Sequence, residues 1–118
     1  MNPADEALLR KAYTAYNAQD VDTLLTLLGE DVDWPDAGDR LRGKAAVRLY
    51  WLEQWTRILT RDEPVAFARR PDGRIVVRIS QVVHSVDGEL VSTGHFDHVH
   101  LITDGRIRRL DIEAVEPA

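Results

Sequence analysis

Three Asp-Gly pairs, at 72–73, 87–88 and 104–105, each separate runs rich in Val, Ile and Thr. Asp-Gly suits the two-residue hairpin turn whose central residues need positive φ, so each pair predicts a reversal between antiparallel strands. The second half of the chain is thereby constrained to a meander, with strands over 64–70, 74–86, 89–103 and 106–115. The first half has a different period. Leu8, Leu9, Ala12 and Tyr16 recur at three- and four-residue spacing and predict a helix over 4–18. Asp20 has the chemistry of an N-cap for a short second helix, "VDTLLTLL", with Gly29 placed to close it. "DVDW" before Pro35 reads as a short strand and "DAGDRLRG" as a loop. Val47, Trp51, Trp55 and Ile58 mark a third helix that starts near Gly43. A strongly curved antiparallel sheet wrapped around three N-terminal helices would bury both sets of apolar faces, an α+β architecture. No linker or repeat divides the 118 residues, so one domain over 1–118 is expected.

Composition narrows the chemistry. The chain has no cysteine, which removes disulfides, thiolate nucleophiles and thiolate metal sites and suits a reducing cytoplasm. A formal net charge of −5 argues against a nucleic-acid partner, and the "RIRR" run at 106–109 reads as a solvated sheet edge or a dimer rim. The N-terminus lacks the order of a signal peptide and no apolar run has membrane-spanning length, so a cytoplasmic protein without a membrane partner is expected.

The segment "GHFDHVHL", residues 94–101, concentrates three of the four histidines beside an aspartate. Side chains alternate along a strand, so His95 and Asp97 share one face with Val99, while Phe96, His98 and His100 share the other. Counting back from Asp87-Gly88 pairs Val82 with Thr93, His84 with Val91, Ser80 with His95, and Arg78 with Asp97. The same count from Asp104-Gly105 pairs Val99 with Leu110, Asp97 with Ile112, and His98 with Asp111. One face then presents Arg78, Ser80, Val82, His84, His95, Asp97, Val99, Leu110 and Ile112. The other presents Val77, Ile79, Val83, Phe96, His98 and His100.

"YNAQDVDTLLTLLGEDVDW", "GKAAVRLY" and "GHFDHVHLITDGRI" together resemble the nuclear transport factor 2-like superfamily, in particular its ketosteroid isomerase-like and SnoaL-like polyketide cyclase members. The resemblance runs from residue 5 to 113. It implies a cone-shaped fold that hosts isomerases, cyclases, dehydratases, epoxide hydrolases and non-enzymatic adaptors. Carried over, the isomerase pattern places its general base at Asp36 and its oxyanion-hole acid at Asp97. Its helix tyrosine falls on Ala12, with Tyr16 one turn further, and the cyclase acid on the last strand falls near Ile112. This carry-over puts the Asp97 face inward, together with His95, His84, Ser80 and Arg78.

The resemblance implies a cofactor-free acid–base enzyme, of isomerase, dehydratase or hydratase type, acting on a small apolar molecule with a carbonyl or hydroxyl group. Asp36, Asp97, His95 and His84 are its expected catalytic residues. Tyr16, Trp34, Tyr50, Arg78, Ser80, Val82, Val99, Leu110 and Ile112 are expected to contact the substrate. In the scytalone dehydratase-like branch an aspartate and two strand histidines act with tyrosines, a set that Asp36, His84, His95 and Tyr50 resemble. Asp36, Arg78 and Asp97 resemble instead the two aspartates bridged by an arginine of limonene epoxide hydrolase-like members. A third alternative is a non-catalytic module for ligand binding or dimerisation.

Each residue also has a plainer structural role. Asp36 beside Pro35 suits a turn, Asp97 suits an ion pair with Arg78, and Trp51 and Trp55 suit core packing. His98 and His100 form a His-x-His pair opposite Asp111, placed by this register on the convex face. There a homodimer interface is expected in preference to a metal site, so no metal and no cofactor are expected.

Overall fold

Residues 2–115 are described by a computed structural model. Met1 and residues 116–118, the ends of the domain expected over 1–118, lie outside the described residues. Helix α1 spans Pro3–Asn17, with Pro3 at its first position and the Asn2 side chain accepting from the Ala4 amide at 2.8 Å. Helix α2 spans Val21–Thr26, and Asp20 caps it by accepting from the Thr23 amide. Strand β1 (Leu28–Asp36) follows directly, then β2 (Asp39–Arg42), α3 (Lys44–Gln54), β3 (Ile58–Arg69), β4 (Ile75–Ser85), β5 (Leu90–Thr103) and β6 (Arg106–Ala114). Among the described residues no helix is long and apolar enough to cross a membrane.

The strands form one six-stranded curved sheet in the order β2-β1-β6-β5-β4-β3. All three Asp-Gly turns join the strands they were expected to join, and at the last one Asp104 and Gly105 both have positive φ, at 53° and 69°. Several expectations are corrected. Only two helices precede the sheet, because α3 follows β2. The sheet is not wholly antiparallel, since β1 runs parallel to β6. The supposed loop after Asp36 supplies β2. Gly29 does not cap α2; it lies in β1, where a Cβ would come within 2.7 Å of the Arg108 side chain. "RIRR" is no sheet edge, because β6 is an interior strand flanked by β1 and β5. Helix α3 stops at Gln54 and Ile58 begins β3, six residues earlier than the expected start at 64. Pro64 hid that strand. It sits on an edge strand beside a register shift between Pro64 and Ala66, the setting in which a strand tolerates proline.

Leu9 of α1, Val32 of β1, Val47 of α3, and Val77 and Ile79 of β4 are all fully buried. Each such side chain contributes about 1.5–3 kcal/mol relative to an exposed one. These residues decide which way the sheet faces. Val77, Ile79 and Val83 turn toward the helices, so the odd-numbered residues of β4 and their partners Phe96, His98 and His100 on β5 form the concave face.

Candidate active site

Between the helices and the concave face lies a cavity of about 260 Å³. Its apolar wall is built by Trp34 of β1, Tyr50 and Trp51 of α3, Tyr16 of α1, and Leu110 and Ile112 of β6. Trp51 packs edge-on against Trp34, with ring centroids 5.3 Å apart. Its polar side is built by Tyr13 of α1, His98 and His100 of β5, Thr60 and Asp62 of β3, and Gln81 of β4.

Tyr13 is one turn beyond Leu9 on the same helix face, so the contact that seats α1 also points its phenol at the sheet. Its hydroxyl lies 2.9 Å from His98 Nδ1 and 2.8 Å from His100 Nε2. With one proton to share, it donates to one ring and accepts an N–H from the other. His100 Nδ1 is buried without a partner among the described residues. A bare lone pair is more readily left unpaired than an N–H. The favoured arrangement therefore has His100 Nε2–H donating to Tyr13 and Tyr13 donating to His98 Nδ1. His98 then carries its proton on Nε2.

Burial sets the ionisation of this cluster. Desolvation lowers His98 to about 4, although the charge of Asp97 pulls the other way. Desolvation lowers His100 to about 3, with His98 adding to the effect. Both rings are neutral near pH 7. Burial pushes the Tyr13 phenol well above its ordinary value and raises Tyr16 to about 12, the charge of Asp62 adding to both. Among the described residues Asp62 is the single carboxylate of the lining. Desolvation raises its pKa, only partly offset by the hydrogen bond that Gln81 Nε2 donates to Oδ1 at 3.0 Å. The result is a carboxylate made more basic by its surroundings, set against three neutral polar groups.

The expected site residues divide sharply. Tyr16, Trp34, Tyr50, Leu110 and Ile112 line the cavity, whereas Asp97, His95, His84, Arg78, Ser80, Val82 and Val99 do not. The inward assignment of the Asp97 face is reversed. The registers Ser80 with His95 and Arg78 with Asp97 are observed, yet these residues belong to the convex face. There Arg78 Nε donates to Asp97 Oδ1 at 2.6 Å, and this bond above all holds the Asp97 carboxyl below its usual range. Val99 is buried, but on that outer side. On β6 a register shift between Leu101 and Ile102 moves the pairs by one, so His98 faces Ile112 and Val99 faces Asp111. A bulge does this, and turn counting does not detect it. His98, His100 and Phe96 consequently leave the convex patch expected to make a dimer. Asp36 ends β1 just past the lining residue Pro35, half-buried and outside the lining; its charge contributes to the raised pKa of Tyr50, after desolvation. Asp36, Arg78 and Asp97 are not brought together.

Tyr13 and Asp62 were missed. Tyr13 shares the helix face of Leu9 and Tyr16, a signal the spacing carries. Asp62 sits in "ILTRDEP", where alternation puts Ile58, Thr60 and Asp62 on one face once the strand is allowed to run up to its proline.

No curated protein matches the chain. Several solved structures share its fold. An NTF2-like protein of unknown function from Burkholderia pseudomallei is 26% identical with a TM-score of 0.81, over 97% of this chain and 92% of that one. A proposed polyketide cyclase from Sinorhizobium meliloti is 25% identical with a TM-score of 0.74, over 91% and 94%. An LEH-like epoxide hydrolase from M. tuberculosis is 17% identical with a TM-score of 0.77, over 90% and 78%. The sequence pattern of the SnoaL-like domain matches residues 9–110. By that match over most of its length, and by the fold it shares with these structures, the chain belongs to the SnoaL-like domain family of the nuclear transport factor 2-like superfamily.

Proposed function

We propose that the protein is a cofactor-free acid–base enzyme that moves a proton on a small, uncharged, largely apolar molecule bearing a carbonyl or hydroxyl group. One observation carries this reading. A desolvated carboxylate, Asp62, and the hydrogen-bonded cluster of Tyr13, His98 and His100 open onto the same aromatic-walled cavity. Asp62 accepts the proton. The neutral His98 Nε2–H stabilises the negative charge that develops on the substrate oxygen, and Tyr13, donating to His98 Nδ1, holds that ring in the tautomer and orientation this needs. A neutral donor suffices here, because a water-poor site strengthens it. Among the described residues no lysine or arginine lines the cavity, so a carboxylate or phosphate ester would enter without a countercharge and against Asp62. An aspartate, two strand histidines and tyrosines are the elements of dehydratase-type chemistry, with Asp62, His98 and His100 in place of Asp36, His84 and His95.

The test needs no natural substrate. The protein is mixed with β-tetralone in D2O, and loss of the proton next to the carbonyl is followed by NMR. Asp62 takes that proton as the C–H bond breaks, the electron pair moves onto the oxygen as an enolate, and exchange of the Asp62 proton with D2O returns deuterium. Exchange well above the buffer rate, lost in Asp62→Asn, is expected. Binding of β-tetralone without exchange would make the cavity a ligand-binding module.

A further inference from the structure

We propose that Asn17 is a positioning residue that holds the Asp62 carboxyl in place relative to the Tyr13 phenol. This rests on the reading of Asp62 as the proton acceptor of the cavity and of Tyr13 as the anchor of the donor His98. Strand β3 is the edge of the sheet, so its outward backbone groups have no strand partner. At Asp62 the side chain of Asn17 takes that place. Asn17 Nδ2 donates to the Asp62 carbonyl at 2.9 Å, and Asn17 Oδ1 accepts from the Asp62 amide at 2.8 Å. A carboxamide presents a donor and an acceptor side by side, as a neighbouring strand's backbone would.

The placement of Asn17 gives this clamp its consequence. It is the last residue of α1, and Tyr13 lies four residues earlier on the same helix face. One helix therefore carries the phenol and grips the main chain of the residue that carries the carboxylate. Tyr13 is already anchored to β5 through His98 and His100, and Asp62 is held to β4 through Gln81. Asn17 closes the remaining side of the frame. Without it the β3 edge is free to move away from α1 and admit water to Asp62, which would solvate the carboxylate and weaken it as a base.

Asn17→Ala, made in the full chain, tests this by carbon-detected NMR titration of the Asp62 carboxyl and by the β-tetralone exchange rate. The expected result is a fall of the Asp62 midpoint toward that of a solvated aspartate, with exchange reduced at saturating β-tetralone and little change in KM. Asn17→Ser, which keeps one hydrogen-bonding group, should fall between wild type and Asn17→Ala, and it decides the matter alone should Asn17→Ala not fold. Asp20→Ala removes the α2 cap and no cavity contact, so it should lower the melting temperature without moving the midpoint. A folded Asn17 variant with the wild-type midpoint and exchange rate would overturn the proposal. Wild-type exchange in Asp62→Asn would instead overturn Asp62 as the base, and the titration midpoint would still decide the role of Asn17.

Discussion

Asp62 and Asp97 are two aspartates on neighbouring parts of one sheet, and they meet opposite fates. Asp62 faces inward, has one neutral amide as its side-chain partner, and is raised by desolvation. Asp97 faces outward, is gripped by Arg78 through two hydrogen bonds, and is lowered. Convex-face carboxylates repeat the second pattern. Asp111 is lowered first by Arg109, with Arg40 and Arg74 adding to it. What separates the two aspartates is which side of the pleat they occupy. On the inner side no arginine among the described residues pairs with the carboxylate, and burial raises its pKa. On the outer side a carboxylate becomes half of an ion pair.

The largest expected effect breaks the inner half of this contrast. Asp62→Asn should reduce β-tetralone exchange by about 10²–10⁴-fold, the usual worth of a positioned general base. It should also raise the melting temperature at pH 7, because an amide can still accept from Gln81 without a buried charge. Tyr13→Phe comes next. It leaves His98 Nδ1 and His100 Nε2 without their shared partner in a buried site, which should cost about 1–3 kcal/mol in denaturant unfolding.

Acid sharpens the contrast further. The unfolded chain protonates its histidines as pH falls through 6.5, while His98 and His100 resist in the folded state down to about 4 and about 3. Their contribution to stability is thus complete above pH 6.5 and lost as pH falls through those folded values. Asp62 works in the other direction. Its raised pKa makes its contribution complete below the ordinary value of 3.8 and lost as pH rises through the raised one. Calorimetry from pH 7 to 5 should show a falling melting temperature, and a steeper fall in Asp62→Asn. The smallest effect belongs to the outer face: Asp97→Asn should leave the exchange rate unchanged and the melting temperature near that of wild type, because the Arg78 end of the pair is open to solvent, which screens it.

Much of this was legible beforehand. The meander followed from its turn residues, α1 from its apolar period, and the β4–β5 register from Val82 down to Arg78 from counting back from Asp87-Gly88; nearer the turn a register shift between Val83 and His84 pairs His84 with Leu90 instead of the expected Val91. Both faces of the β4–β5 pair mix polar and apolar side chains, so patterning did not choose which one turns inward. The family resemblance, carried over residue by residue, pointed Asp97 inward. A one-residue shift repairs it: from Ala12 to Tyr13 on the helix and from Asp97 to His98 on the strand, the carried-over pair becomes the bonded pair. On a strand such a shift reverses the face of every side chain, which explains how a correct fold came with an inverted site.

Local chemistry written in the sequence determined the turns, the helix caps, the alternation along each strand and the family. Tertiary structure alone decided which face of the meander closes over the helices, where bulges reset the β5–β6 register, and that an edge strand brings Asp62 to Tyr13. The first and last of these outcomes depend on contacts between residues 45 or more positions apart in the chain, such as Asn17 with Asp62 and Tyr13 with His98, where packing of the whole core selects the partner.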